Sequence, residues 1–354
     1  MLWVKGFMTL KIKSAGGNLY SHVLLLRILA MVLTTVLICP LISSFACSLQ
    51  SPVVREKLVL GVYAGDFSSL IWVAENRGYF RDEGLDVTLM EYESGVLAAQ
   101  AFLRGEVEVA TAAEFVAVNN IFSDSSIRII GAICTIKSTE VIVRPDHGIQ
   151  DPADLRNKKI ATPKGSIAEF YLSKFLFLNN LTFNDVQIFY LNPKPLSEAL
   201  IQGEVDAAAI WDPFAYNIKT ALGQNGVAWL SSMVQNWNLL LMTSDATLNS
   251  RPGALESLLK SLYKAEDFIG KNPESAKTII AERLKLQMPY VQYVWSKRNY
   301  TLSLDQWLLL MMEDEGEWMV QNKMTDKTAV PNYLNNIYME GLLKVNPKAV
   351  TIIH

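Results

Sequence analysis

Beyond residue 57, short apolar runs alternate with segments whose apolar residues recur at helical spacing. The runs at residues 58–63, 85–90 and 107–110 predict β-strands, and the segments at 68–79 and 95–104 predict helices. Strands that alternate with helices form parallel sheets with helices packed on their faces. The pattern therefore predicts an α/β lobe.

The same order of elements recurs further along the chain. Predicted strands lie at 158–162, 186–191 and 205–210, and predicted helices end at Leu178 and Gln202. Ala-Phe-Leu-Arg-Gly-Glu-Val-Glu-Val-Ala at 101–110 aligns without a gap with Ala-Leu-Ile-Gln-Gly-Glu-Val-Asp-Ala-Ala at 199–208, and that register places Glu114 opposite Asp212. A helix, a glycine cap and a strand also recur by chance in α/β proteins. Because the neighbouring elements recur in the same order, we infer a second, similar lobe.

After about residue 244 the pattern becomes helical. Amphipathic helices are predicted at 255–270, 273–284, 304–321 and 331–343. We expect these helices to pack back onto the first lobe. The predicted organisation is residues 58–140 for the first part of lobe 1, 141–240 for lobe 2, and 241–354 for the second part of lobe 1 with its C-terminal helices.

The N-terminus is predicted to be a targeting signal. Basic residues precede an uncharged apolar run at 28–47 that ends in small residues, as in a secretory signal peptide over residues 1–47. Ser44-Phe45-Ala46 fits ordinary cleavage after Ala46, whereas Cys47 resembles a lipidation site, although Ser44 stands where lipoproteins usually carry Leu. An uncleaved anchor is a third interpretation, because about twenty apolar residues can span a bilayer. All three place the body outside the cytoplasmic membrane, either periplasmic or lipid-anchored, after a polar tether at 48–57.

Composition excludes several classes of function. The 354 residues carry a net charge of −3, and half of them are hydrophobic, which is a globular composition without the basic excess of nucleic-acid-binding proteins. Cys134 is the single cysteine after residue 47, so no internal disulfide is expected in the body, and three histidines argue against zinc sites and catalytic triads. Nucleophile-elbow, phosphate-loop and zinc-protease motifs are absent from the sequence. We expect no enzyme activity, no metal or cofactor, no nucleic-acid partner and a monomer.

Candidate binding residues follow the predicted strands, because ligands of open α/β sheets bind beyond the C-terminal strand ends. Lobe 1 offers Phe67, Ser68, Ser94, Gly95 and Glu114, and lobe 2 offers Gly165, Ser166, Trp211 and Asp212. Ser94-Gly95 and Gly165-Ser166 begin helices, whose free N–H groups attract anions; each could equally be a plain N-cap.

The acidic and aromatic candidates suggest other contacts. Glu114 and Asp212 are acceptors that suit an ammonium group, although Asp212 before Pro213 could simply cap a helix. Phe67, Trp211 and Trp237 could form an apolar wall, or belong to the core.

Several stretches resemble periplasmic substrate-binding proteins of the nitrate, sulfonate and taurine type. The stretches are Ala-Glu-Asn-Arg-Gly-Tyr-Phe at 74–80, Glu-Gly-Leu-Asp-Val at 83–87, Asp-Leu-Arg-Asn-Lys-Lys-Ile at 154–160, Lys-Gly-Ser at 164–166 and Ile-Trp-Asp-Pro-Phe at 210–214. The resemblance runs from about residue 58 to 245 and is looser through the C-terminal helices. It implies a type II periplasmic-binding fold: two α/β lobes joined by two crossover strands, with a helical C-terminal region packed on lobe 1.

The resemblance also implies a function. Such a protein captures a small anionic or zwitterionic molecule by hinge closure and delivers it to the permease of an ABC importer. Ligand contacts implied by motif position add Ser138 and Thr139 to the candidates above, with Trp237 near the returning crossover. Glu114 departs from a cleft built for simple anions and favours an amine-bearing ligand. A receptor for an aminopyrimidine thiamine precursor and a ligand-sensing module remain the other readings, with an enzyme less favoured.

Overall fold

Two β-sheets organise the protein. The computed structural model describes residues 55–137, 139–230 and 236–353, so the predicted signal peptide, most of the tether and Cys47 lie outside the described residues. Sheet 1 comprises β1 (Glu56–Tyr63), β2 (Leu85–Tyr92), β3 (Val109–Ala113), β4 (Ile127–Ile136), β10 (Trp237–Ser244) and β11 (Arg298–Asn299). Sheet 2 comprises β5 (Glu140–Val143), β6 (Lys159–Thr162), β7 (Gln187–Tyr190), β8 (Ala207–Ile210) and β9 (Val227–Leu230).

Helices pack around both sheets. Those of the first half are α1 (Ser69–Arg77), α2 (Tyr79–Asp82), α3 (Gly95–Leu103), α4 (Glu114–Ile121), α5 (Ile167–Leu178), α6 (Pro193–Gln202) and α7 (Phe214–Leu222). Those of the second half are α8 (Asp245–Ser250), α9 (Pro252–Lys271), α10 (Pro273–Leu284), α11 (Met288–Trp295), α12 (Gln306–Gln321) and α13 (Glu340–Val345). None of the helices within the described ranges is long and apolar enough to cross a bilayer.

The two sheets share one plan. In sheet 1, β1 pairs in parallel with β2 and β3, and β10 is inserted antiparallel between β3 and β4. In sheet 2, β6 pairs in parallel with β7 and β8, and β5 is inserted antiparallel between β8 and β9. The chain passes from sheet 1 to sheet 2 between β4 and β5 and returns between β9 and β10. We call sheet 1 with its helices lobe 1, and sheet 2 with its helices lobe 2.

The internal repeat occupies equivalent places in the two lobes. Gly105 and Gly203 both follow a helix with positive φ, 73° and 80°, a conformation that costs glycine little. The strand after each glycine then pairs in parallel with β1 in lobe 1 and with β6 in lobe 2, Val109 opposite Leu60 and Ala207 opposite Ile160. The sequence repeat therefore marks the same helix–turn–strand unit in each lobe.

The C-terminal helices brace lobe 1, as predicted. Helix α9 packs against α1 and α2, and α12 packs against α4. Arg283 of α10 lies 4.5 Å from the ring centre of Trp72 and donates to Glu75 and Glu91. Together with the two chain crossings, this packing confirms the predicted two-lobed α/β architecture.

One helix prediction was wrong. Residues 331–343 were expected to form a single helix, but only Glu340–Val345 is α-helical at this end, preceded by a 3₁₀ turn at Tyr333–Asn336. The Asn336 side chain donates to the carbonyl of Ile127 at 2.9 Å, and Ile337 forms a β-bridge with Ile129. Tertiary hydrogen bonds to β4 thus displace the helical bonds that the apolar spacing suggested.

A core truncation on α9 tests the bracing role. Leu258 is fully buried, so Leu258→Ala should lower the free energy of unfolding by about 2–5 kcal/mol through lost burial and the cavity left behind. Leu310→Ala, at a leucine that is 47% exposed on α12, is the matched control and should have little effect. Urea unfolding measures both variants, and equal losses would contradict the packing described here.

Candidate ligand-binding cleft

A cavity lies where strand ends of the two sheets face each other. About 320 Å³ of space that no protein atom fills lies between its walls, and part of that space is open to solvent. Lobe 1 lines it with Tyr63, Phe67, Gly95, Val96, Ala113, Val116, Trp237 and Leu239, and lobe 2 lines it with Ser166, Ile167 and Trp211. Because both lobes supply walls, a molecule held here would touch both at once.

Aromatic rings form the largest part of this wall. The Phe67 ring stacks on Tyr63 with centroids 5.3 Å apart and meets Trp237 edge-on at 5.0 Å. Trp211 approaches from lobe 2 and is only 6% exposed. The indole Nε1 of Trp237 is buried without a hydrogen-bond partner. The cavity is therefore mainly apolar, with an unused N–H donor on one of its lining residues.

The lobe 1 helix start has the geometry expected of a backbone donor site. The Ser94 hydroxyl accepts from the N–H of Leu97 at 3.2 Å, which caps α3. Gly95 packs so closely on β3 that a Cβ there would come within 2.9 Å of the Ala112 Cα. First-turn N–H groups lack intrahelical acceptors, and both Gly95 and Val96 line the cavity. Glycine thus lets this helix start lie against the sheet at the cavity wall.

The lobe 2 helix start is already occupied by the protein's own groups. The Gly165 N–H donates to Glu169 Oε2 at 2.6 Å, and the Ser166 hydroxyl donates to the Pro163 carbonyl at 2.6 Å. Burial raises the pKa of Glu169, and the hydrogen bonds from Tyr190 and Gly165 partly offset that rise. An acidic side chain beside this turn makes it a weaker anion site than the sequence suggested.

A buried ion network joins the lobes beside the cavity. Arg298, whose side chain is 1% exposed, donates to Asp66 at 3.0 Å and to Asp212 at 3.2 Å. Asp66 belongs to lobe 1 and Asp212 to lobe 2. The guanidinium also lies 4.5 Å from the Phe67 ring centre, and Tyr290 donates to Asp66 at 2.9 Å. Arg298 therefore bridges the two lobes and supports an aromatic wall of the cavity.

The network carries one more acid than base. Both Arg298 contacts to carboxylates use the Oδ2 atoms, and Asp212 Oδ1 is buried without a partner. Burial raises the pKa of Asp212, and the positive charge of Arg298 partly offsets that rise. A buried carboxylate oxygen without a partner is costly, so this position favours a proton or a cationic group.

Glu114 is buried behind the cavity wall. Its Oε2 accepts from the N–H of Asn238 at 2.7 Å, whereas Oε1 has no partner. Burial raises the pKa of Glu114 to about 8, and the hydrogen bond from the Asn238 N–H partly offsets that rise. Its neighbours Ala113 and Val116, not Glu114 itself, line the cavity. At neutral pH this side chain is therefore mostly uncharged and is a poor acceptor for an ammonium group.

The predicted site residues fall into three groups. Those that line the cavity are Phe67, Gly95, Ser166, Trp211 and Trp237. Those that do not line it are Ser68, Ser94, Glu114, Thr139, Gly165 and Asp212. Ser138 lies outside the described residues.

Sequence reasoning missed the central cation. Arg298 lies in a two-residue strand within the helical C-terminal region, far from any predicted strand end. Tyr63, at the end of the first strand, could have been found, because it directly precedes the loop that carries Phe67. Asp66 belongs to that same loop, beside two predicted residues.

Comparison with known proteins identifies the family of the chain. The model of the family described as NMT1/THI5 like matches residues 68–276, which is more than half of the chain. The chain belongs to the NMT1/THI5-like family. The matched stretch includes strands and helices of both lobes and ends within α10.

Individual relatives of this NMT1/THI5-like chain agree with the fold. The taurine-binding periplasmic protein of Escherichia coli is 25% identical over 228 residues, 64% of each chain. The alkanesulfonate-binding protein SsuA from Xanthomonas axonopodis pv. citri, solved with bound MOPS, superposes with a TM-score of 0.69 at 19% identity, over 80% of this chain and 99% of that one. The aliphatic sulphonate-binding protein SsuA of E. coli gives 0.68 at 19% identity, over 80% and 98%.

The same fold also carries catalysis elsewhere. The desulfurization enzyme DSZB superposes with a TM-score of 0.59 at 14% identity, over 83% of this chain and 99% of that one. Within the described residues, no three His, Cys, Asp or Glu side chains are grouped so that they could hold a metal ion. Cys134 is fully buried, and burial raises the pKa of its thiol, so it is a poor nucleophile.

Replacing Arg298 tests how much its pairing with Asp66 and Asp212 stabilises the fold. Arg298→Met leaves Asp66 and Asp212 buried without their partner, so the free energy of unfolding should fall by about 3–5 kcal/mol. Arg104→Met removes an exposed ion pair with Glu106 and is the control, with little expected effect. Urea unfolding compares the two; similar small losses would show that Arg298 is not the central pairing group.

Proposed function

We propose that this protein is the extracytoplasmic solute receptor of an ABC importer, which captures a small zwitterionic molecule between its lobes. The observation that carries the proposal is the cavity walled by both lobes and flanked by the Asp66–Arg298–Asp212 network. The named functions of the taurine-binding and sulfonate-binding relatives support it. The working partner would be the membrane permease, and the exported form would be periplasmic or lipid-anchored at Cys47, acting as a monomer.

The charges around the cavity favour a ligand with a cationic end. Asp212 Oδ1 is the unpaired buried acceptor, whereas Arg298 is already shared between two carboxylates and is not free to hold an anion. A bare nitrate or alkanesulfonate would add negative charge beside a network that already has an excess acid. An ammonium group near Asp212 would reduce that excess, so an amine-bearing solute fits better than a simple anion.

The remaining groups favour an acidic end and an apolar body. The first-turn N–H groups of α3 and the unpartnered Trp237 Nε1 are donors for sulfonate or carboxylate oxygens. Phe67, Trp211 and Tyr63 supply apolar contacts to the carbon skeleton between the charged ends. A short amino-sulfonate or amino-carboxylate combines these features.

Hinge closure would follow from contacts that exist only when the lobes meet. Trp211 and Asp212 belong to lobe 2, whereas Arg298 and the α3 start belong to lobe 1. A solute that touches both lobes makes more contacts in the closed state than in the open state, so it stabilises the closed state. An empty receptor lacks this stabilisation. The closed form is then the state presented to the permease.

An aminopyrimidine receptor is the second candidate. The supporting observation is the aromatic wall of Tyr63, Phe67, Trp211 and Trp237, which suits a flat heterocycle. Membership of the NMT1/THI5-like family is consistent with it. In this case Asp212 Oδ1 would accept from an exocyclic amine.

Asp212 should discriminate between ligand classes. A thermal-shift screen of taurine, ethanesulfonate, nitrate and an aminopyrimidine identifies binders, because a ligand raises apparent stability by mass action. Asp212→Asn should weaken taurine at least about tenfold, roughly 1.4 kcal/mol, and leave ethanesulfonate nearly unchanged. Asp86→Asn, at an exposed position on β2, is the control. A variant that loses ethanesulfonate as much as taurine would contradict the amine assignment.

Solution scattering tests closure directly. The radius of gyration should fall when the solute identified in the thermal-shift screen is added, because the lobes approach each other. Trp211→Ala removes a lobe 2 wall of the cavity and should reduce the fraction closed at a fixed solute concentration. A bound solute that leaves the radius unchanged would rule out capture by hinge closure.

A further inference from the structure

A second set of buried polar groups lies behind the cavity wall, where three helices from the two lobes meet. Helix α5 of lobe 2 contacts α4 of lobe 1, and α4 contacts α12. The rings of Phe115, Phe170 and Trp318, one from each helix, lie with centroids 5.3–5.7 Å apart. We call this contact the three-helix junction. Lys174 of α5 pairs with Asp314 of α12 across it.

Two carboxyl groups are buried in the junction with unmet hydrogen-bonding capacity. Glu315 of α12 is fully buried, and neither of its side-chain oxygens has a partner. Glu114 of α4 is also fully buried, and its Oε1 has no partner. Two phenol hydroxyls, those of Tyr171 from α5 and Tyr333 from the 3₁₀ turn before α13, are likewise unpartnered. The two acids are close enough for the negative charge of Glu114 to raise the pKa of Glu315.

We propose that Glu114 and Glu315 form a proton-binding site that couples lobe closure to pH. The proposal rests on hinge motion between the lobes as proposed above. The three-helix junction is complete only when the lobes are closed, because α5 brings Phe170, Tyr171 and Lys174 from lobe 2. Opening removes that cover from α4 and α12 and admits water to both carboxyl groups.

The free-energy cost of burying a charged carboxylate determines the protonation state of Glu114 and Glu315 in the closed form. A buried carboxylate without a partner costs several kcal/mol, so it takes up a proton instead. Burial, followed by the negative charge of Glu114, raises the pKa of Glu315 well above its ordinary value. Burial raises the pKa of Glu114 to about 8, partly offset by the N–H of Asn238. The closed state therefore holds protons at neutral pH.

The other charges around the pair do not reverse this. Asp314 raises the pKa of Glu315 further, and Lys174 lowers it by less than burial raises it. The phenols remain neutral, since burial raises the pKa of both Tyr171 and Tyr333. Loss of Lys174 on opening would favour the protonated acid, but the gain of water is the larger change because burial is the main cause of the shift.

The direction of the pH effect follows from linkage. Once wetted, the carboxyl groups ionise above about pH 4.5, whereas closed Glu114 keeps its proton up to about pH 8 and burial holds the pKa of closed Glu315 well above its ordinary value. Opening thus releases protons above about pH 4.5, and rising pH favours the open state. Each proton released changes the open-to-closed ratio by up to about tenfold per pH unit. Below about pH 4.5 the ratio should be flat.

Glu315→Gln separates the proton site from the rest of the junction. The amide keeps the size of the side chain and cannot release a proton, so the pH dependence should lose about one proton equivalent. Glu313→Gln, at an exposed position on the same helix, is the matched control and should behave as the unmodified protein.

The measurement is an inter-lobe distance distribution without any solute, from pH 5.5 to 8.5. Spin labels at Asp86→Cys in β2 and Gln187→Cys in β7 report on lobe 1 and lobe 2, in the full chain with Cys39→Ser and Cys47→Ser; Cys134 is fully buried and will not label. The open population should rise with pH in the reference protein and in Glu313→Gln, and rise less in Glu315→Gln. A population that is independent of pH, or equally dependent in Glu315→Gln, overturns the proposal.

An infrared measurement guards against a variant that fails to fold. The unmodified protein at pH 7 should display the carbonyl stretch of a buried protonated carboxylic acid, and this band should weaken as the pH rises past about 8, where Glu114 loses its proton. Absence of that band at pH 7 overturns the proposal independently of any variant. Because neither measurement uses a solute, an error in the ligand class would leave both results standing, and solute capture without pH dependence would leave the receptor function intact.

Discussion

The shared pairing of Arg298 is the interaction on which the cleft depends. A guanidinium that is 1% exposed is tolerable only with acidic partners, and Asp66 alone would supply one. Asp212 supplies the second from the opposite lobe, so this cation has both partners only while the two lobes are in contact here. The same guanidinium lies on the Phe67 ring, which fixes an aromatic wall of the cavity. The Arg298 side chain therefore both pairs with the two carboxylates beside the cavity and holds one of its aromatic walls.

That pairing also limits what the cleft can hold. An arginine that is free in an open pocket would bind a sulfonate or carboxylate directly with its planar donors. Here the donors already engage two carboxylates, and the net excess is one acid. The backbone N–H groups at the start of α3 remain as anion donors, and Asp212 Oδ1 remains as an acceptor. The proposed preference for ligands with both charges would reconcile an anion-binding family resemblance with an acidic cleft.

The sequence predicted the architecture because its cues are local. Apolar runs, helical spacing and the Gly-Glu-Val repeat at 105–107 and 203–205 depend on neighbours within one element, and the sheets realise both units. The prediction of a single helix at 331–343 was wrong because the Asn336 side chain donates a hydrogen bond to β4, and no local sequence pattern encodes that contact. Arg298 was not predicted as a site residue for the same reason. A single arginine in a helical region acquires meaning only when the fold brings Asp66 and Asp212 to it.

The site prediction was partial for a related reason. Strand-end reasoning pointed to Phe67, Gly95, Ser166 and Trp211, which line the cavity, because the parallel strands of each lobe present their C-terminal ends toward the cleft. Trp237 was a candidate for its aromatic ring and its place near the returning crossover. Strand-end reasoning could not foresee burial, which decides the charge state of each acid. Glu114 and Asp212 occupy matching positions in the repeat, yet their surroundings differ.

Glu114 and Asp212 occupy equivalent positions in the two lobes, but their surroundings suit them to different roles. Asp212 pairs with Arg298 and keeps one buried oxygen without a partner, which we propose as the acceptor for a cationic group. Glu114 accepts from backbone N–H groups, and its negative charge raises the pKa of a second buried acid, Glu315, so we propose it as a site for a proton. If the lobes close as proposed, closure would bury both acids at once, and the free energy of closing would contain a solute contribution and a proton contribution from equivalent positions of the two lobes.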